Sequence, residues 1–231
     1  MDAPKWFIAT NRYGSYCVPV SSRHRPAARA ILDGKVWEAG TLAFLASHCG
    51  AGDIVHAGTY FGDFLPALSR AVAEDALVWA FEPSSENFRC AEITLKLNAI
   101  GNVVLTQAAL GARETEALLR TGTNKRAAGG ASAIAAERRD GFSYESVRVV
   151  AIDAVIPLNR TVSIIQLDVE KYEQQVLEGA LATIRRCRPL LILENPPADQ
   201  SWFAENVLAM GYEEAGRVDV NRLFRPRAAA G

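Results

Sequence analysis

The residues able to do chemistry in this chain gather where apolar runs end. Ile54-Val55 leads into His56-Ala57-Gly58-Thr59-Tyr60-Phe61-Gly62-Asp63-Phe64, and Val78-Trp79-Ala80-Phe81 closes on Glu82-Pro83, with Glu82 24 positions after Gly58. Glycines four apart let backbone approach a ligand closely, and a carboxylate ending the next apolar run can accept both hydrogen bonds of a vicinal diol. Together they describe a βαβ unit that holds a nucleoside. Pro83 disfavours helical backbone at Glu82, which keeps the carboxylate at the strand end and able to reach back over the first turn.

The glycine spacing narrows the ligand. Tyr60 stands where a pyrophosphate-binding Gly-x-Gly-x-x-Gly turn has its middle glycine, and no Gly-x-x-x-x-Gly-Lys-Ser/Thr segment occurs. A nicotinamide or nucleotide-sugar oxidoreductase therefore fits poorly, and S-adenosylmethionine, a nucleoside without phosphates, fits what remains. Leu167-Asp168-Val169-Glu170-Lys171-Tyr172-Glu173 delivers further carboxylates, with Asp168 at the end of an apolar run and Glu194 closing another, Leu190-Leu191-Ile192-Leu193. Acids crowded together raise one another's proton affinity, which makes one of them a usable base near neutral pH. Methyl transfer from a sulfonium needs an aligned acceptor oxygen and a base for its proton. Asp168 is the first candidate, Glu170 the second, and Glu194 a positioning group. Glu170 and Glu173 equally suit the positive end of the following helix. His56, inside the first strand, reads as a hydrogen-bonded packing residue rather than a base. A lone Asp-x-Glu does not make a divalent-metal site, so no metal is expected.

These groups need a parallel sheet to line them up. Periodicity predicts a helix near 37–48, strand 53–57, helix 63–73, strand 77–81, helix 85–98 and strand 103–107. It continues with strand 163–167, helix 173–186, strand 190–194 and helix 200–210. Alternation of this kind indicates an α/β sheet covered on both faces. Ser84 or Ser85 offers a hydroxyl N-cap to the second helix of that series, and Gly211 stops the last one. Residues 1–35, with Pro4, Pro19, Pro26 and Asn11-Arg12-Tyr13-Gly14, read as an irregular arm or cap, and 36–231 as one domain. Between Gly111 and Ala151 two extra strands, around 116–120 and 147–150, are expected to flank a long loop that contains Gly129-Gly130-Ala131-Ser132.

Composition bounds the partners. The 231 residues are 49% hydrophobic, with 25 basic and 26 acidic side chains and a net charge of −1. That size supports one full core, and the balance gives no pull toward a polyanion, so nucleic acid is not an expected partner. No apolar run approaches the ~20 residues of a membrane helix, and Asp2, Pro4 and Lys5 do not open a signal peptide, so a cytoplasmic protein without membrane contact is expected. Cys17, Cys49, Cys90 and Cys187 are far apart in the chain and read as free thiols rather than a zinc or disulfide framework.

Taken in order, these segments resemble the FkbM family of S-adenosylmethionine-dependent methyltransferases. The resemblance runs through His56 to Gly62, Ala80-Phe81-Glu82-Pro83, Leu97-Asn98, Gln107-Ala108-Ala109-Leu110-Gly111, Leu167 to Glu173 and Leu193-Glu194, roughly residues 36 to 195. It implies a Rossmann-like class I methyltransferase fold: a mostly parallel seven-stranded sheet with helices on both faces, an inserted β-hairpin, and Arg222-Leu223-Phe224 in or near an antiparallel last strand. By resemblance, His56, Gly58, Thr59, Tyr60 and Gly62 surround the methionine part of the cofactor. Glu82 and Pro83 meet ribose, Gln107, Ala108 and Ala109 lie near adenine, and Asp168 sits near the reacting methyl. The implied reaction is O-methylation of a small-molecule acceptor, a carbohydrate or secondary metabolite, by Asp168 and Glu170. Acceptor choice is expected in the arm (Tyr13, Tyr16, His24), in loop 121–136 and after Pro196, and self-association into a homo-oligomer is left open. The family pattern has an acid where this chain has His56 and a glycine where it has Lys171, departures that keep a second reading: a catalytically degenerate cofactor-binding protein acting as a scaffold.

Overall fold

The computed structural model describes residues 5–227; Asp2, Pro4 and the Ala229-Ala230 ending lie outside them. Seven strands form the central sheet: β1 (Asp53–Ala57), β2 (Val78–Phe81), β3 (Val103–Thr106), β4 (Val162–Leu167), β5 (Leu190–Leu193), β6 (Tyr212–Val218) and β7 (Asn221–Pro226). Their order across the sheet is β3-β2-β1-β4-β5-β7-β6. The first five pair in parallel, and β7 runs against both of its neighbours. The sheet is mixed because only Asp219-Val220 separates β6 from β7, and so short a link can only reverse the chain; Asp219 takes a φ of 48° to do it.

β1 is buried along its whole length. Val55 and Ala57 join Ile165 and Leu167 in one core, while Ile54 joins Ile164 and Ile192 in the other. Both faces of the sheet are therefore covered, which is why these strands read as unbroken apolar runs.

The helices depart from expectation in ways the packing explains. The span expected as one helix from 173 to 186 is two, Glu173–Glu178 and Leu181–Cys187. A Cβ at Gly179 would stand 2.1 Å from the Gly111 carbonyl, so the chain breaks where it is crossed by another backbone. The helix expected over 200–210 ends at Asn206 and continues as a 3₁₀ turn to Met210, with Gly211 at φ 83° as the stop. Ser84 occupies the N-cap position of the helix Ser85–Leu97, but its hydroxyl makes no capping bond. Glu145 Oε2 takes the Ser85 N–H at 3.0 Å instead.

The expected hairpin insert is larger: strands Thr115–Thr123 and Phe142–Val150 pair antiparallel and recruit short strands at Ala109–Leu110, Arg126–Ala127 and Ala133–Ala135 into a five-stranded sheet. The arm is not irregular. Trp6–Asn11 and Gly14–Pro19 form a hairpin, turned where Asn11 Oδ1 accepts the Tyr13 N–H at 2.8 Å, and Pro26–Leu32 is a helix. Thr94 and Asn98 hold the hairpin against the helix Ser85–Leu97: Thr94 Oγ1 accepts from Cys17 N at 3.0 Å, and Asn98 exchanges two hydrogen bonds with the Ser15 backbone.

Candidate functional site

Register places the site. Ala57 pairs with Phe81 on one side and Leu167 on the other, and Leu167 pairs with Leu193. The next residue on each strand is thus Gly58, Glu82, Asp168 and Glu194, lined up along the carboxyl edge of a parallel sheet, where such sheets bind ligands. Two clefts open there and share Gly58, Gly130 and Asp168.

Gly58 is required by two separate conditions. Its φ is 85°, and a Cβ would lie 2.0 Å from the backbone oxygen of Asp168. Asp168 N in turn donates to Ala57 O at 3.2 Å, so these two strand ends cross in close contact. Tyr60 and Gly62 also have positive φ, 53° and 84°, and the loop after β4 holds Glu170 at 54° and Lys171 at 72°. Left-handed backbone at non-glycine residues costs of order 1 kcal/mol or more each and collects at ligand sites. Lys171 thus holds a conformation that a glycine would take without that cost.

The first cleft runs along the carboxyl edge of the sheet, beside Ala57, Gly58 and Phe81. Ala108, Ala109 and Leu110 form one wall, Leu119, Ile134 and the Gly129-Gly130 turn another, and Glu82 with Pro83 the end. Glu82 is 4% exposed. Its Oε2 accepts the Tyr60 N–H and its Oε1 the Ser84 N–H, both at 2.8 Å, so it also ties the glycine turn to the following helix. Burial outweighs those bonds and pushes the carboxyl up to about 7. Of the residues expected here, Gln107 is exposed beyond the lining, while Thr59 is buried and Gly62 packs over Ala91 without lining either cleft.

The second cleft, about 810 Å³, is acidic: Glu38, Asp63, Asp168, Glu170 and Glu194 line it, with Arg25, His56, Tyr60 and Gln166. Burial and then the charge of Glu194, which also hydrogen-bonds it, raise Asp168 well above the carboxylate range, with Glu38 and Glu170 adding to the effect. The Glu194 charge beside it favours the protonated form of Asp168. Asn195 Nδ2 anchors the outer Glu194 oxygen at 2.9 Å. Glu170 is raised by burial and Glu194, offset by Arg25, Lys171 and Arg120. Burial takes Asp63 up to about 7 and His56 down to about 4.

His56 and Gln166 are register partners on β1 and β4, and His56 Nδ1 hydrogen-bonds Gln166 Oε1. With a carbonyl oxygen as partner, Nδ1 carries the ring proton. Nε2 then presents a lone pair, buried and without a partner among the described residues.

Several of these groups escaped the reading of the sequence. Arg25, Glu38, Asp63 and Gln166 reach the second cleft, and Asp63 had a signal, since it directly follows Gly62. Arg25 and Glu38 sit in segments with no motif. Of the arm residues expected to meet the acceptor, Tyr16 is fully buried with its hydroxyl on Asn11, and neither it nor Tyr13 lines these clefts. Glu173 is 1% exposed rather than solvated at a helix end; burial raises it to about 7, and its Oε1 has no partner among the described residues. Loop 121–136 is tied down: Asn87 Nδ2 donates to Gly129 O at 3.3 Å, and the Tyr60 hydroxyl, beside that turn, donates to Ser22 Oγ at 2.7 Å.

Known proteins can be set beside this geometry. The family model described as the methyltransferase FkbM domain matches residues 48–218. A search of curated proteins finds no match. Among solved structures, the chain is similar to methyltransferase FkbM from Methylobacillus flagellatus KT, with 17% identity, a TM-score of 0.54, and 76% of this chain and 43% of that one covered. Trm5b from Pyrococcus abyssi shows 14% identity and a TM-score of 0.52 over 97% of this chain and 56% of that one. The Pyrococcus abyssi tRNA (uracil-54, C5)-methyltransferase, solved with S-adenosyl-L-homocysteine, shows 11% identity and a TM-score of 0.50 over 97% and 44%. The chain spans about half the length of these structures, and at such identities the likeness is one of fold. Because a tRNA methyltransferase is among them, the expectation that nucleic acid is no partner gains nothing from these likenesses. No helix among the described residues is long and apolar enough to cross a membrane.

Proposed function

The chain belongs to the FkbM methyltransferase domain family, whose methyl donor is S-adenosylmethionine, and we propose that it methylates a hydroxyl of a small acceptor, a sugar or secondary metabolite. The observation that carries this reading is the Asp168–Glu194 carboxyl pair, at the end of adjacent strands and on the cavity that adjoins the cleft lined by Glu82, Ala108 and Ala109.

The residues present fit the donor. Glu82, oriented by the Tyr60 and Ser84 N–H groups and by Asn87 Nδ2, which donates to Oε1 at 3.4 Å, keeps a lone pair on Oε2 for the ribose diol, with Pro83 beside it. Ala108 and Ala109 offer a flat apolar wall for adenine, with Gln107 at its rim. Gly58 lets the Asp168 backbone close against the turn between the two clefts, and Thr59, Tyr60 and Gly62 shape the turn around the methionine part. His56 Nε2, a buried lone pair kept neutral by its surroundings, is suited to accept a hydrogen bond from an ammonium group, the task of the family's acid. The donor supplies a methyl already activated by a positive sulfur, which leaves alignment and proton removal to the protein. Asp168, its proton affinity raised by burial and by Glu194, takes the hydroxyl proton, and Glu170, on the same cavity wall, orients the acceptor or adds a second carboxylate. No observation on this chain favours a catalytically silent scaffold.

Calorimetric titration of the protein with S-adenosylhomocysteine and with NAD tests the reading. Saturable one-to-one binding of the first and none of the second is expected. Tight NAD binding, or failure of S-adenosylhomocysteine to bind, overturns it. Cofactor binding without turnover on any phosphorylated, acidic or neutral hydroxyl compound would move the protein to the scaffold reading.

A further inference from the structure

A third recess, of about 700 Å³, adjoins the acidic cavity and shares Arg25 and Ala131 with it. Every charged group on its wall is basic: His24, Arg25, Arg120 and Arg126, with Phe142 beside them. They converge from three segments. Arg25 is the N-cap residue of the helix Pro26–Leu32, Arg120 lies on the strand Thr115–Thr123, and Arg126 returns along its hairpin partner opposite Thr123. The Arg120 guanidinium lies over the Phe142 ring at 5.3 Å, which holds the fork flat while leaving its edge free.

Among the described residues none of the three arginines forms an ion pair. After burial, Arg126 and Arg25 are what depress the proton affinity of His24, as neighbouring cations do. The influence of Arg25 and Arg120 on Glu170 ties the recess to the acidic cavity. A concave cluster of guanidinium forks calls for an oxyanion.

We propose that this recess anchors a phosphate or carboxylate carried by the acceptor, so that a hydroxyl elsewhere on the same molecule reaches the Asp168–Glu194 pair. The inference rests on the methyltransferase reading and supplies its acceptor class, a small hydroxylated anion. A nucleic-acid backbone fits less well. The neighbouring cavity, which Arg25 also lines, carries five acids that disfavour a continuous phosphate chain, and the net charge is −1.

The test titrates the full chain with glycerol 3-phosphate, glycerate and glycerol, with and without saturating S-adenosylhomocysteine, whose own affinity is measured in parallel. At least one anion is expected to bind roughly tenfold or more tightly than glycerol. The better of the two identifies phosphate or carboxylate. Arg120→Gln with Arg126→Gln, both on exposed side chains, should erase that preference and leave S-adenosylhomocysteine affinity within about twofold. The Arg120→Lys, Arg126→Lys counterpart, which keeps the charge, should retain part of it. Equal binding of all three compounds, or a preference that survives the glutamine variant, overturns the inference. Bulk tRNA binding more tightly than glycerol 3-phosphate, and released by the same variant, overturns it in favour of nucleic acid. An intact anion preference without S-adenosylhomocysteine binding would instead sink the methyltransferase reading alone.

Discussion

The apolar cleft and the acidic cavity touch at Gly58 and Asp168 yet are built in opposite ways. Apolar and aromatic side chains and glycine backbone line most of the first, with Glu82 and Asp168 as its acids. Five acids, an arginine and a buried neutral histidine line the second, and they come from the arm, the linker before the first long helix, β1, the glycine turn and the ends of β4 and β5. In the proposed function one region recognises a shape through strand ends in register. The other sets proton affinities by crowding charges into a place that water reaches poorly. The difference separates binding from chemistry, and substitutions on either side of the boundary should affect different measurements.

The largest effect is expected from Asp168→Asn, which leaves the shape and removes the base. Turnover should fall by roughly two to four orders of magnitude while S-adenosylhomocysteine affinity changes by less than about threefold, read by single-turnover kinetics and calorimetry. An equal loss in both would erase the boundary between the two regions. In the active protein, rate should rise with pH as the raised Asp168 carboxyl gives up its proton.

Gly58→Ala comes next, because it forces an L side chain to φ 85° and against the Asp168 carbonyl at 2.0 Å. Several kcal/mol of strain are expected, of the order given for left-handed backbone and overpacking together. A lowered melting temperature with loss of both cofactor binding and turnover would show that the two regions share this hinge; unchanged binding would deny it.

Glu82→Gln is a smaller change confined to the binding side. An amide must turn its NH₂ toward one of two backbone N–H groups, Tyr60 or Ser84, that the carboxylate accepts. A roughly tenfold loss of S-adenosylhomocysteine affinity is expected. The pH dependence sharpens it. Glu82 rises from an ordinary 4.5 to about 7 in the fold, so the unliganded protein keeps this contribution to stability below about pH 4.5 and loses it as pH climbs to 7. Removing it should flatten the fall in melting temperature across that window. His56, lowered to about 4 from 6.5, works in the other direction, its contribution lost as pH drops through that range.

How much could be read beforehand differs between these regions for a physical reason. Gly58, Glu82, Asp168 and Glu194 each follow a short apolar run, and in a parallel sheet residues just beyond the strands share one edge, so their meeting was legible. The reading failed where contact is made between distant segments. The 173–186 helix breaks at Gly179 because Gly111 crosses it, and Gln107 faces outward although its neighbours Ala108 and Ala109 do not.

Local pattern alone therefore determined the α/β alternation, the glycine turn, the carboxylates at strand ends and the absence of a pyrophosphate fingerprint, because strand periodicity and turn chemistry are set by near neighbours. Tertiary structure decided the rest. It folded the arm into a hairpin on the helix Ser85–Leu97, enlarged the insert into a second sheet, and turned acids with ordinary neighbours into a buried, mutually repelling set. Proton affinity and charge convergence depend on what packs around a group, and no run of neighbouring residues carries that information.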